Sequence, residues 1–481
     1  MGIPRILIAG LSGGGGKTLI SLGLLTAWRR RGMGVVPFKK GPDFIDSSWL
    51  SMAAGRPCRN LDLFLMPQEA MERSFLDATQ DADAAVIEGN RGLFDGVDAQ
   101  GTYSAGELAK LLGAPVVLVA DCTKSTCTVA ATVLGCQRFD PEVPLRGVVL
   151  NRTGGKRHES VVREAIEKHC GIPVLGSVPR IRDLPFPERH LGLVPPQEHE
   201  KLPEAIRRAG DVAERFLDLD ALEGLARDAA DLDFGVPAPA EVPRPEADPV
   251  RVGVFRDAAF QFYYPENLEA LAREGAVVVE ISPLRDTEVG EVDAIYIGGG
   301  FPETLAPVLT KNHSFLDSLR RSINRGLPVY AECGGAVYLG ETLTVDQNHY
   351  PMVGALPATF GFGAKPQGHG YTVLETVHEN PFLPVGGVLR GHEFHYTYMA
   401  SASADDLCFA FRVQRGHGFD GERDGLCRGS VLAAYTHLHA LGADGWAPGI
   451  VRAAQRFRAQ VSGRGSVERV TDQVLDLATS C

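Results

Sequence analysis

Between Arg5 and Ser177 short apolar runs alternate with longer segments whose apolar residues recur at helical spacing. Arg5–Gly10, Val35–Lys39, Ala84–Glu88, Pro115–Asp121, Arg146–Asn151 and Val174–Ser177 are unalternated and bounded by glycine, proline or polar residues. Such runs predict strands buried on both faces, hence a parallel sheet with helices on each side, Leu19–Arg30 being the first. The pattern restarts after residue 249, with strands predicted at Val250–Phe255, Val277–Ile281, Ala294–Ile297 and Val329–Glu332 and a helix from Pro265 to Glu274. Between the two series lies VPAPAEVPRPEADP, residues 236–249, whose five prolines and lack of aromatic residues read as a linker. The predicted fold class is α/β: two tandem α/β domains, 1–235 and 250–463, joined by that linker and followed by a polar tail, 464–481.

Composition narrows the choice of function. In 481 residues, 48 Lys and Arg stand against 60 Asp and Glu, a net charge of -12, the wrong sign for wrapping a phosphate backbone or an anionic membrane. No run approaches the roughly 18 apolar residues that span a bilayer, and the apolar start leads into a glycine loop rather than a cleavage site. A cytoplasmic protein with neither nucleic acid nor membrane as partner is expected, and a homodimer is left open. The nine cysteines form no CxxC pair, and Cys122, Cys127 and Cys136 lack zinc-site spacing, so they are read as reduced thiols.

The first candidate site follows the first strand. Leu11 is succeeded by Ser12, Gly13, Gly14, Gly15, Gly16, Lys17 and Thr18, and then by a helical pattern. Glycines let backbone N–H groups face phosphate oxygens, the helix dipole adds to the attraction, Lys17 can reach β- and γ-phosphates and Thr18 suits Mg2+. Gly10 lies seven rather than six residues ahead of Lys17, a departure from the usual phosphate-loop spacing. Asp43 and Asp46 follow the second strand, Glu88 ends the Ala84–Glu88 strand, and Asp95 sits in the turn GNRGLFDG. Strand ends of open α/β sheets meet ligands, so these acids are candidates to hold Mg2+ (Asp46 and Glu88, with Thr18) and to position the reacting groups (Asp43, Asp46 and Asp95).

The second candidate is Cys333, which ends a strand and is followed by Gly334 and Gly335. That is how a nucleophile is held on a strand-to-helix turn, where the dipole and a neighbouring histidine favour the thiolate. His437 and His439 are the candidate bases. Gly299 and Gly300, in GGGFPE at residues 298–303, offer unobstructed backbone N–H groups for an oxyanion hole. His392 and His395 are read as packing and hydrogen-bonding residues of a histidine-rich turn.

These segments carry a resemblance. The shifted phosphate loop, GPDFID, EGNRGLFDG, LAKLLGAPVVLVADC, GVVLNR and PERHLGLVP resemble the cobyrinic acid a,c-diamide synthase family, with dethiobiotin synthetase among its wider relatives. Cys333 with its glycines, His437, VGVFRDAAFQFYYPENL and RGHEFHY resemble the class I glutamine amidotransferase domain fused to such synthetases. The resemblance extends from the first strand to Arg458. It implies a C-terminal class I glutamine amidotransferase-like sheet, ATP and Mg2+ as cofactors, and L-glutamine and a tetrapyrrole carboxylate as substrates. It further implies that the γ-phosphoryl group activates acetate side chains as acyl phosphates, which ammonia released by Cys333 and His437 then attacks. Many class I members have a glutamate two residues past the histidine, where this chain has His439, so the partner orienting His437 stays open. Asn90-Arg91 replaces a small apolar pair, which makes Arg91 a candidate substrate contact and leaves sirohaem or a (nickel) sirohydrochlorin as alternative substrates. A regulatory or partition ATPase with a degenerate glutaminase domain is a different reading; those ATPases carry a second loop lysine where this chain has Ser12.

Overall fold

The computed structural model describes residues 2–181, 188–189, 192–193, 201–232, 234–235, 248–403 and 407–478, with side chains up to residue 462. Nearly all of the expected linker, most of PERHLGLVP and the last three residues lie outside them. The chain divides into two compact units, Met1–Ala238 and Pro239–Cys481.

In the first unit, β1 (Arg5–Gly10), β2 (Val35–Lys40), β3 (Arg59–Leu61), β4 (Ala84–Glu88), β5 (Val116–Asp121), β6 (Leu145–Thr153) and β7 (Val174–Pro179) form one sheet in the order 3-2-4-1-5-6-7. Every pairing is parallel. Each residue of β1, β2 and β4 is buried, which is why these strands read as continuous apolar runs. The edge strand β3 escaped prediction because RNL is short and mostly polar. Helix α1 (Lys17–Arg30) buries Ile20, Leu22, Leu24, Leu25 and Trp28. Helix α2 (Phe44–Ala54) is capped by Asp43, which accepts from Asp46 N at 2.7 Å, and ends at Gly55 in the left-handed region, φ 69°.

In the second unit, β8 (Arg251–Phe255), β9 (Val277–Ile281), β10 (Ala294–Ile297), β11 (Val329–Glu332), β12 (Gly368–Thr376), β13 (Val388–His395), β14 (Cys408–Arg415), β15 (Arg423–Arg428), β16 (Val431–Ala434) and β17 (His437–Leu438) form a mixed sheet in the order 9-8-10-11-16-15-14-12-13-17. Along that order the pairings from β9 to β16 are parallel and those from β16 to β17 antiparallel. A smaller four-stranded sheet is built from Thr342–Val345, Asn348–Pro351, Ala358–Phe362 and Thr397–Ala402. The α/β expectation holds for this unit as well, while its antiparallel strands were not among the predicted elements. Strands such as GHGYTVLET face solvent on one side and give only short apolar signals. His392 and His395 lie on β13, not in a turn. The predicted helix is α3 (Pro265–Arg273), and α4 (Pro302–Leu309) and α5 (Gly334–Leu339) follow β10 and β11. Residues 464–478 continue the long helix α6 (Trp446–Ala478). No helix among the described residues is long and apolar enough to cross a membrane, and their cysteines are all free thiols.

Candidate active sites

After β1 the chain turns through residues 11–16 into α1. Gly14 and Gly16 hold φ at 69° and 98°, where a side chain is strained, and a β-carbon on Gly16 would collide with Asn151. Asn151, on β6, donates from Nδ2 to the Gly15 carbonyl at 2.9 Å and so ties the loop to the sheet. Lys17 folds back over Gly10 and donates to the Ser12 carbonyl at 3.0 Å. Burial, with the nearby Lys39 ammonium, holds Lys17 below the ordinary lysine range.

Strands β2 and β4 are in register at Lys39 and Glu88, which brings the two side chains together at the strand ends. Lys39 Nζ lies 2.8 Å from Glu88 Oε1 and 2.6 Å from Asp46 Oδ2. Burial opposes its charge, but Asp46 and Glu88 outweigh burial and raise the ammonium above the usual lysine range. Burial pushes the Glu88 carboxyl up, partly offset by Lys39. Thr18 Oγ1 donates to Glu88 Oε1 at 2.9 Å, while Glu88 Oε2 has no hydrogen-bond partner. Among the described residues no three His, Cys, Asp or Glu side chains form a ready-made metal cage. A hydroxyl beside an unsatisfied buried carboxylate oxygen nonetheless fits Mg2+, which keeps several waters and takes phosphate oxygens as further ligands.

The four predicted acids thus take different places. Asp46 and Glu88 meet on Lys39, which sequence reading missed; its only signal was a charge ending an otherwise apolar strand. Asp43 caps α2, and burial together with Asp46 pushes its carboxyl up to about 7. Asp95 Oδ2 accepts from Gly92 N at 2.7 Å and braces a turn in which Arg91, exposed, has φ 52°. Raised from 3.8 to about 7, Asp43 contributes stability that is complete below its unfolded value and lost as pH rises through the folded one. In the nucleotide-free protein Asp43→Asn should therefore flatten the fall of the thermal midpoint between those two pH values, as differential scanning calorimetry would show. An unchanged slope counts against the assignment.

In the second unit β11 runs into Cys333, whose N–H donates to the Ala434 carbonyl of β16 at 2.7 Å. Cys333 takes φ 49° and ψ -106°, a sharp turn before α5. A β-carbon on Gly335 would come within 2.8 Å of the Ile297 carbonyl, and one on Gly334 within 2.9 Å and 3.2 Å of Gly300 O and N. The predicted oxyanion glycine Gly300 therefore lies against the nucleophile turn, and Gly334 N–H, which sequence reading did not name, borders the same space. Burial, with Glu303 nearby, pushes the Cys333 thiol up.

His437 is held from both sides. Asp424 accepts from Tyr435 N at 2.9 Å and Thr436 N at 3.1 Å ahead of it. Asn267 of α3 donates to the Leu438 carbonyl at 2.9 Å and accepts from Ala440 N at 2.7 Å behind it. Its ring stacks on His392, its cross-strand partner on β13, with centroids 4.9 Å apart. Burial, with His437 next to it, holds His392 well below the usual histidine range, so it stays neutral. The ring of His437 also packs against Gly299, the other predicted oxyanion residue, where a β-carbon would strike it. Gly299→Ala should displace His437 and lower glutamine-supported turnover about tenfold or more while sparing ammonia-supported turnover. Parallel assays with the two nitrogen sources check this.

A phosphate loop with strand-end acids in one unit and a cysteine–histidine site in the other define a nucleotide-binding chain with a glutamine amidotransferase domain. Residues 6–194 match the CobQ/CobB/MinD/ParA nucleotide binding domain, and residues 251–445 match the CobB/CobQ-like glutamine amidotransferase domain. The chain is 43% identical to the cobyrinate a,c-diamide synthase of Magnetococcus marinus over 94% of its own length and 97% of that protein. It is 42% identical to that of Archaeoglobus fulgidus (92% and 95%) and 39% identical to that of Methanothermobacter thermautotrophicus (94% and 100%). The chain belongs to the cobyrinate a,c-diamide synthase family.

Proposed function

We propose that this chain uses ATP and glutamine to amidate the a and c acetate side chains of cobyrinate. The observation that carries the reading is similarity along nearly the whole chain to synthases of that name, with both reactive sites present in their units. In the first unit the backbone N–H groups of residues 12–16 and Lys17 bind and neutralise the ATP phosphates, and Thr18, Asp46 and Glu88 would hold Mg2+. Bound there, Mg2+ supplies charge neutralisation at the phosphate oxygens. Lys39, fixed between Asp46 and Glu88, places a permanent positive charge beside the transferring phosphoryl group and the acetate that receives it. A carboxylate becomes an electrophile for ammonia only when one of its oxygens leaves as phosphate. Asp43 holds the start of α2 in place, and Asp95 the turn bearing Arg91, which offers its guanidinium to a peripheral substrate carboxylate.

In the second unit Cys333 attacks the glutamine amide, His437 takes and returns the proton, and N–H groups of Gly300 and Gly334 receive the oxyanion. Offering the purified protein cobyrinate, a sirohydrochlorin and sirohaem separately, with ATP and glutamine, and counting amidations by mass tests the reading. Two amidations of cobyrinate are expected; amidation of another tetrapyrrole alone would replace the substrate, and none at all would overturn the ligase.

A further inference from the structure

The position two residues past His437, where a carboxylate is wanted to orient the imidazole, holds His439. Its Nε2 faces Glu266 of α3 at 3.7 Å and its ring packs on Tyr264, so it is turned into that cluster. A different carboxylate reaches His437. Glu332, the last residue of β11 and the neighbour of Cys333 in sequence, has Oε2 at 3.4 Å from His437 Nδ1, and its Oε1 accepts from Leu438 N at 3.1 Å. Tyr296 Oη donates to Oε2 and Tyr330 Oη to Oε1, each at 3.1 Å. Glu332 is 1% exposed and four donors converge on it, as an ionised buried carboxylate requires.

The geometry points to Glu332 as the positioning residue of the glutaminase site: it holds the His437 proton on Nδ1 and leaves Nε2 to take the proton of Cys333. The inference rests on Cys333 and His437 being the glutamine-cleaving pair. As the carbon–sulfur bond forms, the thiol proton passes to Nε2; as the carbon–nitrogen bond breaks, it passes to the departing nitrogen, which leaves as ammonia. Water then hydrolyses the thioester, releasing glutamate and restoring the thiol. Throughout, Nδ1–H stays on Glu332, whose charge stabilises the imidazolium. The other ionisable groups around the pair are His392 from β13, His439 with Glu266 behind it, and Glu303 of α4 and Glu393 of β13 on the Cys333 side. Glu332 is the carboxylate bonded to the imidazole. Glu393 is engaged elsewhere, by His417 N at 2.5 Å, Gly418 N at 2.9 Å and His395 at 3.4 Å.

The test uses the full chain. In Glu332→Gln the side-chain amide donates to Nδ1 and moves the proton to Nε2. Glutamine-supported amidation should fall about a hundredfold or more, with the KM for glutamine and the ammonia-supported rate within about twofold of the parent. Nitrogen-15 shifts of His437 read the tautomer directly: Nδ1–H is expected in the parent and in Glu332→Asp, which keeps the charge, and Nε2–H in Glu332→Gln. A glutamine-supported rate within about threefold of the parent, an unmoved proton in Glu332→Gln, or an aspartate variant matching the glutamine variant overturns the inference. If Glu332→Gln also loses ammonia-supported turnover, nitrogen-15 shifts of His437 in the parent protein decide: Nδ1–H supports the inference and Nε2–H overturns it. Glutamine-supported turnover surviving Cys333→Ser would instead overturn the underlying reading of the pair.

Discussion

Changing Cys333 to serine is expected to lower glutamine-supported amidation by about a thousandfold or more and to leave ammonia-supported amidation near the parent rate. Both halves follow from the geometry. The hydroxyl occupies the same turn, so β11, α5 and the neighbouring glycines are undisturbed and the second unit stays folded. A hydroxyl is much harder to ionise than a thiol, and this site already opposes the anion: burial and the charge of Glu303 push even the thiol up. The phosphate loop belongs to the first unit, whose own residues the substitution leaves unchanged. Parallel steady-state assays with glutamine and with ammonium salt give the answer, and loss of both activities would refute the division of labour.

The second large effect is expected at Lys39. Lys39→Met removes the cation from a pocket where Glu88 is fully buried. An uncompensated buried carboxylate costs about 3 to 5 kcal/mol, a drop of about 10 °C in the thermal midpoint of a unit this size. Glu88 answers by binding a proton. With its folded pKa raised further, its contribution is present below the unfolded value and lost as pH rises, so the deficit should be smaller at acid pH than at alkaline pH. Amidation should disappear with either nitrogen source, because the lost charge serves the first unit. Calorimetry across pH and the two-source assay check the paired result; a variant as stable as its parent, or one still amidating from ammonia, would show that Lys39 is neither buried cation nor phosphate-side charge.

The sequence spoke most clearly where burial left it one option. Arg5–Gly10 and Ala84–Glu88 match β1 and β4 residue for residue because both faces of those strands are covered, and the Gly-Lys-Thr turn follows from the need for backbone N–H groups at a strand end. The antiparallel strands β12 and β13 were not legible, since one wet face dilutes the apolar run. Lys39 was hidden for another reason: inside an apolar strand a lysine reads as an end marker, and only the register of β2 with β4 reveals its pairing with Glu88. Glu332 is the instructive omission. An acid closing a buried strand is the very signal that singled out Glu88, and it stands again at the end of Val329–Glu332, where the adjoining cysteine drew the eye. That its carboxylate faces His437, more than a hundred residues away in the chain, depends on β11 lying beside β16, a pairing no local pattern announces.

The backbone of Cys333 sets function against robustness. A non-glycine residue at φ 49° carries about 1 to 3 kcal/mol of strain, which the hydrogen bond to Ala434 and the packed glycines around the turn must sustain. A glycine there would relieve the turn and end the chemistry. Random substitution and selection for folding alone would therefore drift toward an inert protein at this position, and each generation in which the cysteine persists is one in which the ammonia supply has outweighed the ease of folding.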